Sequence, residues 1–128
     1  MKSILVVEDD RCLRMGIVSV LLKENYDVSE ANTGLEALRQ IKTRVFDAVL
    51  LDVKLPGVSG IEILKEIKGS TPHTQCVLMS VYVTTEIVIE AMRLGACDFL
   101  IKPFSLDELK LRIRDVFEGK KRKFTIAT

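Results

Sequence analysis

The sequence has little that would send it to a membrane, a nucleic acid or a zinc ion. No apolar run reaches the roughly 18 residues a bilayer span needs. The start, Met1-Lys2-Ser3 before Ile4 to Val7 and then Glu8-Asp9-Asp10, lacks the apolar region of a signal peptide. Net charge is almost absent. Nineteen basic side chains face 18 acidic ones, leaving +1, so no overall field draws the chain to nucleic acid or to a membrane surface. Cysteine is scarce: Cys12, Cys76 and Cys97 are widely spaced among apolar residues, and read as small core side chains in a reducing compartment. Histidine is nearly missing. His73, beside Pro72, is the only one, and a lone loop histidine is ordinarily a surface residue. What remains is a cytoplasmic domain that binds neither membrane nor nucleic acid directly.

With 128 residues, 48% of them hydrophobic and 29% charged, the chain suits one domain that removes about two-thirds of its unfolded surface from water. Short β-branched runs alternate with segments of helical period. Ile4-Leu5-Val6-Val7, Asp27-Val28, Ala48-Val49-Leu50-Leu51, Cys76-Val77-Leu78-Met79 and Phe99-Leu100-Ile101 read as strands. The first, third and fourth are apolar almost throughout, as strands buried on both faces of a parallel sheet are. Between them, Leu13, Ile17, Val20 and Leu21 form one helical stripe, Leu35, Leu38 and Ile41 a second, Ile61, Leu64 and Ile67 a third. Leu106, Leu109, Ile113, Val116 and Phe117 form the last, and each stripe can cover a sheet face. Thr33 with Glu36, Ser59 with Glu62, and Ser105 with Glu108 match the capping box that opens a helix.

The fourth helix, about Thr84 to Leu94, differs. Ile87, Val88, Ile89, Ala91, Met92 and Leu94 cover most of its circumference, so it is either deeply buried or keeps an apolar side for a partner. The run Gly119-Lys120-Lys121-Arg122-Lys123 reads as a solvated tail or linker. The division is a domain over 1–119 and a basic tail, or the start of a linker to a further output domain, over 120–128.

Right-handed crossovers turn five β-α units into a doubly wound α/β sheet, whose ligands bind beyond the carboxyl ends of the strands. There the sequence places Glu8, Asp9 and Asp10, then Asp52, then Ser80, then Lys102-Pro103. Carboxylates gathered in one crevice repel each other unless a cation is present, and oxygen donors without His or Cys point to a hard ion such as Mg²⁺ and away from zinc. A carboxylate beside that ion, with a fixed ammonium nearby, can attack phosphorus to form an acyl phosphate. Each residue alone has a plain explanation as a turn, a cap or a surface charge. Together, in order and at strand ends, they do not.

Ile4-Leu5-Val6-Val7-Glu8-Asp9-Asp10, Leu51-Asp52-Val53-Lys54-Leu55-Pro56-Gly57, Ser80 and Lys102-Pro103-Phe104 resemble the receiver-domain signature of two-component signalling, over nearly the whole chain to about Gly119. The resemblance implies the five-stranded receiver fold with strand order 2-1-3-4-5. It also implies a phosphoacceptor, Asp52, and a Mg²⁺ site (Mn²⁺ able to substitute) formed by Glu8, Asp9, Asp52 and the backbone carbonyl of Lys54. By the same resemblance Ser80 and Lys102 meet the phosphoryl oxygens, the Lys102-Pro103 bond is cis, and Phe99 is the aromatic switch, pointing outward between the fourth and fifth helices until Ser80 moves. The donor would be a sensor histidine kinase or phosphotransfer protein. The output would be a phosphorylation-dependent homodimer or an output domain engaged through the 84–119 face, with the apolar excess of Val88 and Met92 in the contact. Val88 to Ala96 and Asp98 to Phe104 are similar to receivers of transcriptional activators.

Val81 departs from the family's usual small residue after the hydroxyl position, and so narrows the path to Asp52. Lys54 and Tyr82 lie where they screen water from the Asp52–phosphorus bond, so a long-lived acyl phosphate is expected. An aspartyl-phosphate hydrolase would need an acid at position 54, and a flavodoxin-like nucleotide binder would need a Gly/Ser/Thr-rich loop after the first strand; the chain has neither. A receiver that only docks is opposed by the intact set Glu8, Asp9, Asp52, Ser80 and Lys102. The expectation is a signalling domain that modifies itself and turns over no substrate.

Overall fold

A computed structural model of the protein describes residues 1–120; residues 121–128, which make up most of the expected basic tail, lie outside the described residues. Strands and helices alternate as β1 (Ser3–Val7), α1 (Arg11–Lys23), β2 (Asp27–Ala31), α2 (Gly34–Thr43), β3 (Ala48–Asp52), α3 (Gly60–Ser70), β4 (Gln75–Ser80), α4 (Thr85–Arg93), β5 (Asp98–Ile101) and α5 (Leu106–Phe117). All strand pairs are parallel and the order is β2-β1-β3-β4-β5, as the resemblance implied.

The two-residue period of the strands divides the core into two layers. Leu5, Val7, Val49, Leu51, Cys76, Leu78 and Phe99 face α2, α3 and α4, while Ile4, Val6, Ala48, Leu50, Val77, Met79 and Leu100 face α1 and α5. Every residue of β1 and β3 is buried, which is why these strands read as unbroken apolar runs. Helix starts follow their caps. Thr33, Ser59 and Ser105 accept from the amides of Glu36, Glu62 and Glu108, and Asp10 and Thr84 cap α1 and α4 in the same way.

Three expectations need correction. Leu35 and Leu106 are exposed, because α2 buries Gly34, Ala37 and Ile41 and α5 buries Leu109, Ile113 and Val116; each exposed leucine sits in the first turn, rotated off the buried face. Cys12 is also exposed, on the outer side of α1, while Cys76 is buried and Cys97 half-buried. Burial pushes the Cys76 thiol up to about 12 and the Cys97 thiol up to about 11. The fourth helix is neither fully buried nor openly apolar. Val88 and Ala91 are buried, Ile87 and Met92 pack partly against the core, and Ile89 is exposed.

One glycine sets the distance between α3 and the carboxyl end of β3. A Cβ on Gly60 would lie 2.2 Å from the Asp52 carbonyl oxygen and 2.8 Å from Val53 Cα, both backbone atoms that cannot turn aside. The Gly60 amide donates to the Val53 carbonyl at 2.9 Å, so the start of α3 is pressed directly on the chain leaving Asp52. Gly60→Ala should therefore destabilise the fold at the upper end of the roughly 1–3 kcal/mol typical of overpacking, lowering Tm by about 10 °C. Thermal unfolding followed by circular dichroism checks this, and an unchanged Tm would contradict the packing described.

Candidate functional site

The fold brings four side chains from three strand ends into one crevice. Asp52 closes β3, Glu8 and Asp9 follow β1, and Lys102 follows β5. Glu8, Asp9 and Asp52 each offer a carboxylate oxygen, all within 4.8 Å of one another. The Lys102 ammonium reaches between them, donating to Glu8 Oε1 at 2.5 Å and to Asp52 Oδ2 at 2.8 Å. The β4–β5 ladder aims it: the Lys102 amide donates to the Ser80 carbonyl at 2.8 Å, continuing the strand register past Ile101, and the Lys102-Pro103 peptide is cis, as the resemblance implied.

Burial governs the electrostatics. Glu8 and Asp52 are both buried, whereas Asp9 is exposed at the mouth. Loss of solvent pushes the Glu8 carboxyl up to about 7, with the nearby Asp52 charge adding to the rise and the Lys102 hydrogen bond opposing it. For Lys102 burial acts downward, but the hydrogen bonds and charges of Asp52 and Glu8 outweigh it and raise the ammonium above its usual range. Its side chain is only 13% exposed, so this is no free surface charge. Three carboxylates with one ammonium leave room for more positive charge. A cluster made only of oxygen donors fits a hard divalent cation that retains water ligands.

Other residues singled out in the sequence stand around this crevice. Asp10 takes the plain role, its Oδ1 accepting from the Leu13 amide as the cap of α1. Ser80 is buried, and its hydroxyl is engaged locally: Oγ donates to the Tyr82 carbonyl at 2.9 Å and accepts from the Tyr82 amide at 3.1 Å. Lys54 donates its amide to Asp52 Oδ1 at 3.2 Å, and its Nζ lies 5.4 Å from the centre of the Tyr82 ring, placing both side chains of the expected screen together. Val81 stands exposed beside them. Phe99 does not point outward. It is 1% exposed, packed in the layer with Val88, Ala91 and Leu78, because an apolar ring at a strand position between two helices is more stable in the core than in water. Val88 is likewise buried and Met92 half-buried, and the exposed large apolar side chains between residues 84 and 119 are Ile89, Ile101, Leu106 and Leu111.

Sequence reasoning missed two contributors. Gly60 acts through the side chain it lacks. Arg14, on α1, donates to the Glu8 carbonyl at 2.8 Å, and only the spacing from the acidic pair could have drawn notice to it.

Residues 4–114 match the model of the response regulator receiver domain. The transcriptional regulatory protein ZraR of Klebsiella oxytoca is 39% identical over 113 residues, which are 88% of this chain and 26% of that protein, so the chain spans about a quarter of the length of such relatives. Sporulation initiation phosphotransferase F of Bacillus subtilis is 37% identical over 109 residues, covering 85% of this chain and 88% of that one. Among solved structures, the response regulator TrrA of Thermotoga maritima in complex with Mg²⁺-BeF superposes with a TM-score of 0.81 at 31% identity, covering 91% of this chain and 99% of that one. With the acidic crevice at the carboxyl ends of a β2-β1-β3-β4-β5 sheet, these matches mean that the chain belongs to the receiver domain family of two-component response regulators.

Proposed function

We propose that the domain accepts a phosphoryl group onto Asp52 from a sensor histidine kinase or phosphotransfer protein, with Mg²⁺ held by Glu8, Asp9, Asp52 and the Lys54 carbonyl. The observation that carries this reading is the Lys102 ammonium joining Glu8 to Asp52 beside Asp9. In the reaction a carboxylate oxygen of Asp52 forms the new bond to phosphorus as the donor's phosphorus–nitrogen bond breaks. Lys102 is already against Asp52 and meets the negative charge on the transferred group. Mg²⁺ held by Glu8, Asp9, Asp52 and the Lys54 carbonyl would supply further neutralisation of the developing charge, and Mn²⁺ would substitute for it. The Ser80 hydroxyl leaves the Tyr82 backbone to donate to a phosphoryl oxygen, and the β4–α4 loop follows. The modification is stoichiometric, so the domain is a switch and not a turnover enzyme. Support comes also from the Mg²⁺-BeF complex of the Thermotoga relative.

The output we propose is transcriptional, in keeping with the name of the Klebsiella relative. It would act through a homodimer or an output domain engaged by α4, β5 and α5, without direct nucleic-acid binding by this domain. The three free cysteines suit a cytoplasmic location, and no helix among the described residues is long and apolar enough to cross a membrane. Residues 1–119 would form the receiver and 120–128 a tail or linker. Several charge-assisted hydrogen bonds at roughly 1.5–3 kcal/mol each reach the ~5.5 kcal/mol that moves a switch from 1:99 to 99:1.

Acetyl phosphate with Mg²⁺ should add one phosphoryl group to the wild type by intact mass, and none to Asp52→Ala or in the presence of EDTA. A base-labile adduct that persists on Asp52→Ala would remove the assignment. The exposed Lys54–Tyr82 pair should slow hydrolysis, so the phosphoryl group on a Lys54→Asn, Tyr82→Ala double variant should decay severalfold faster; equal or slower decay would reject the screening role. Loading with beryllofluoride should also change amide exchange between Thr84 and Lys110. Unchanged protection there in a demonstrably loaded protein would defeat the proposed output face.

A further inference from the structure

We infer that Arg14 is a positioning residue for the acidic pair, fixing the peptide that joins Glu8 to Asp9. Its guanidinium touches none of the three carboxylates by any described hydrogen bond. Instead Nη1 donates to the Glu8 carbonyl at 2.8 Å while Nε donates to Glu30 Oε1 at 2.9 Å. The Arg14 side chain is 13% exposed, and the Glu30 end of the pair is 50% exposed. An ion pair open to solvent on one side contributes little to stability, so the consequence of this fork is geometric.

The geometry follows from the planarity of the peptide bond. The Glu8 carbonyl belongs to the same rigid plane as the Asp9 amide, so holding its oxygen fixes the backbone torsion leaving Glu8 and the one entering Asp9. Those torsions set where the exposed Asp9 carboxylate stands relative to buried Glu8. Around the fork the frame is closed. The Glu8 amide donates to the Ala31 carbonyl at 3.1 Å, the Arg14 amide donates to the Asp10 carbonyl at 2.9 Å, and Gln40 Nε2 holds the Glu30 carbonyl at 2.9 Å. Glu30 thus receives Arg14 from an edge strand that is itself tied to α2. The β1–α1 turn is held between the sheet edge and its own helix, and Arg14 is the side chain that links them.

The inference rests on Mg²⁺ binding at Glu8, Asp9 and Asp52, and charge makes it testable by sign. A guanidinium near an acidic site repels a cation, so if Arg14 acted only through its charge, its removal would tighten Mg²⁺ binding. If it acts by holding the peptide, removal weakens binding. Loss of an outer partner of a metal ligand typically costs about 10- to 100-fold in affinity. Mg²⁺ titrations followed by amide chemical shifts on wild type, Arg14→Met and Arg14→Lys should give an affinity about tenfold weaker for Arg14→Met. An intermediate loss is expected for Arg14→Lys, which keeps the charge but not the fork. The shifts also report whether each variant is folded, and Arg14→Lys carries the test if Arg14→Met is not. Affinity equal to or tighter than wild type in either folded variant overturns the inference; failure of the wild type to bind Mg²⁺ overturns instead the reading of the metal site.

Discussion

Like charges converge at the carboxyl edge of the sheet, and a single ammonium holds them there. Parallel strands in the order β2-β1-β3-β4-β5 bring the ends of β1 and β3 side by side and place β5 two strands beyond β3. The repulsion among Glu8, Asp9 and Asp52 is offset where Lys102 bonds two of them at once. The reach of that side chain is set by the β4–β5 register, which ends with the Lys102 amide on the Ser80 carbonyl. An acidic crevice braced by one cation is a poised site, because the burial that pushes Glu8 up also strengthens every charge–charge contact inside it.

Around this crevice the chain is tightly packed beside β3 and open to solvent beyond the end of β4. Below Asp52, Gly60 lets α3 press against the backbone, and β1 and β3 are buried throughout. Beyond Ser80 the chain runs through exposed Val81 and Tyr82 before Thr84 caps α4. The α3 side of Asp52 is thus closed by backbone contact, whereas α4 packs on the sheet through Val88 and Ala91.

Much of this was legible in the residues, for reasons that differ from element to element. β1 and β3 read as buried strands because both faces are covered, and Asp52, Glu8, Asp9 and Lys102 stood out because four ionisable groups at the ends of apolar runs have no packing role. Helix starts were legible where a hydroxyl precedes a glutamate by three. Leu35, Leu106 and Cys12 misled, since residue type alone does not say which side of a helix is inward. The Phe99 ring direction was misread because residue type alone does not say how much room the core leaves, and here the ring is buried. Arg14 was overlooked because its bond goes to a backbone carbonyl, which has no sequence signature. Gly60 was overlooked because its contribution is a missing atom.

The short turn closed by Ser80 has a meaning for signal fidelity. Its hydroxyl is fully engaged, giving one hydrogen bond to Tyr82 and taking one from it. Any excursion of that oxygen toward Asp52 gives up both, at roughly 1 kcal/mol each. Together the two bonds disfavour such a displacement by about 2 kcal/mol, a factor of about thirty. In the switch proposed above, two bonds of a buried serine would thus set the background against which a phosphoryl signal is read.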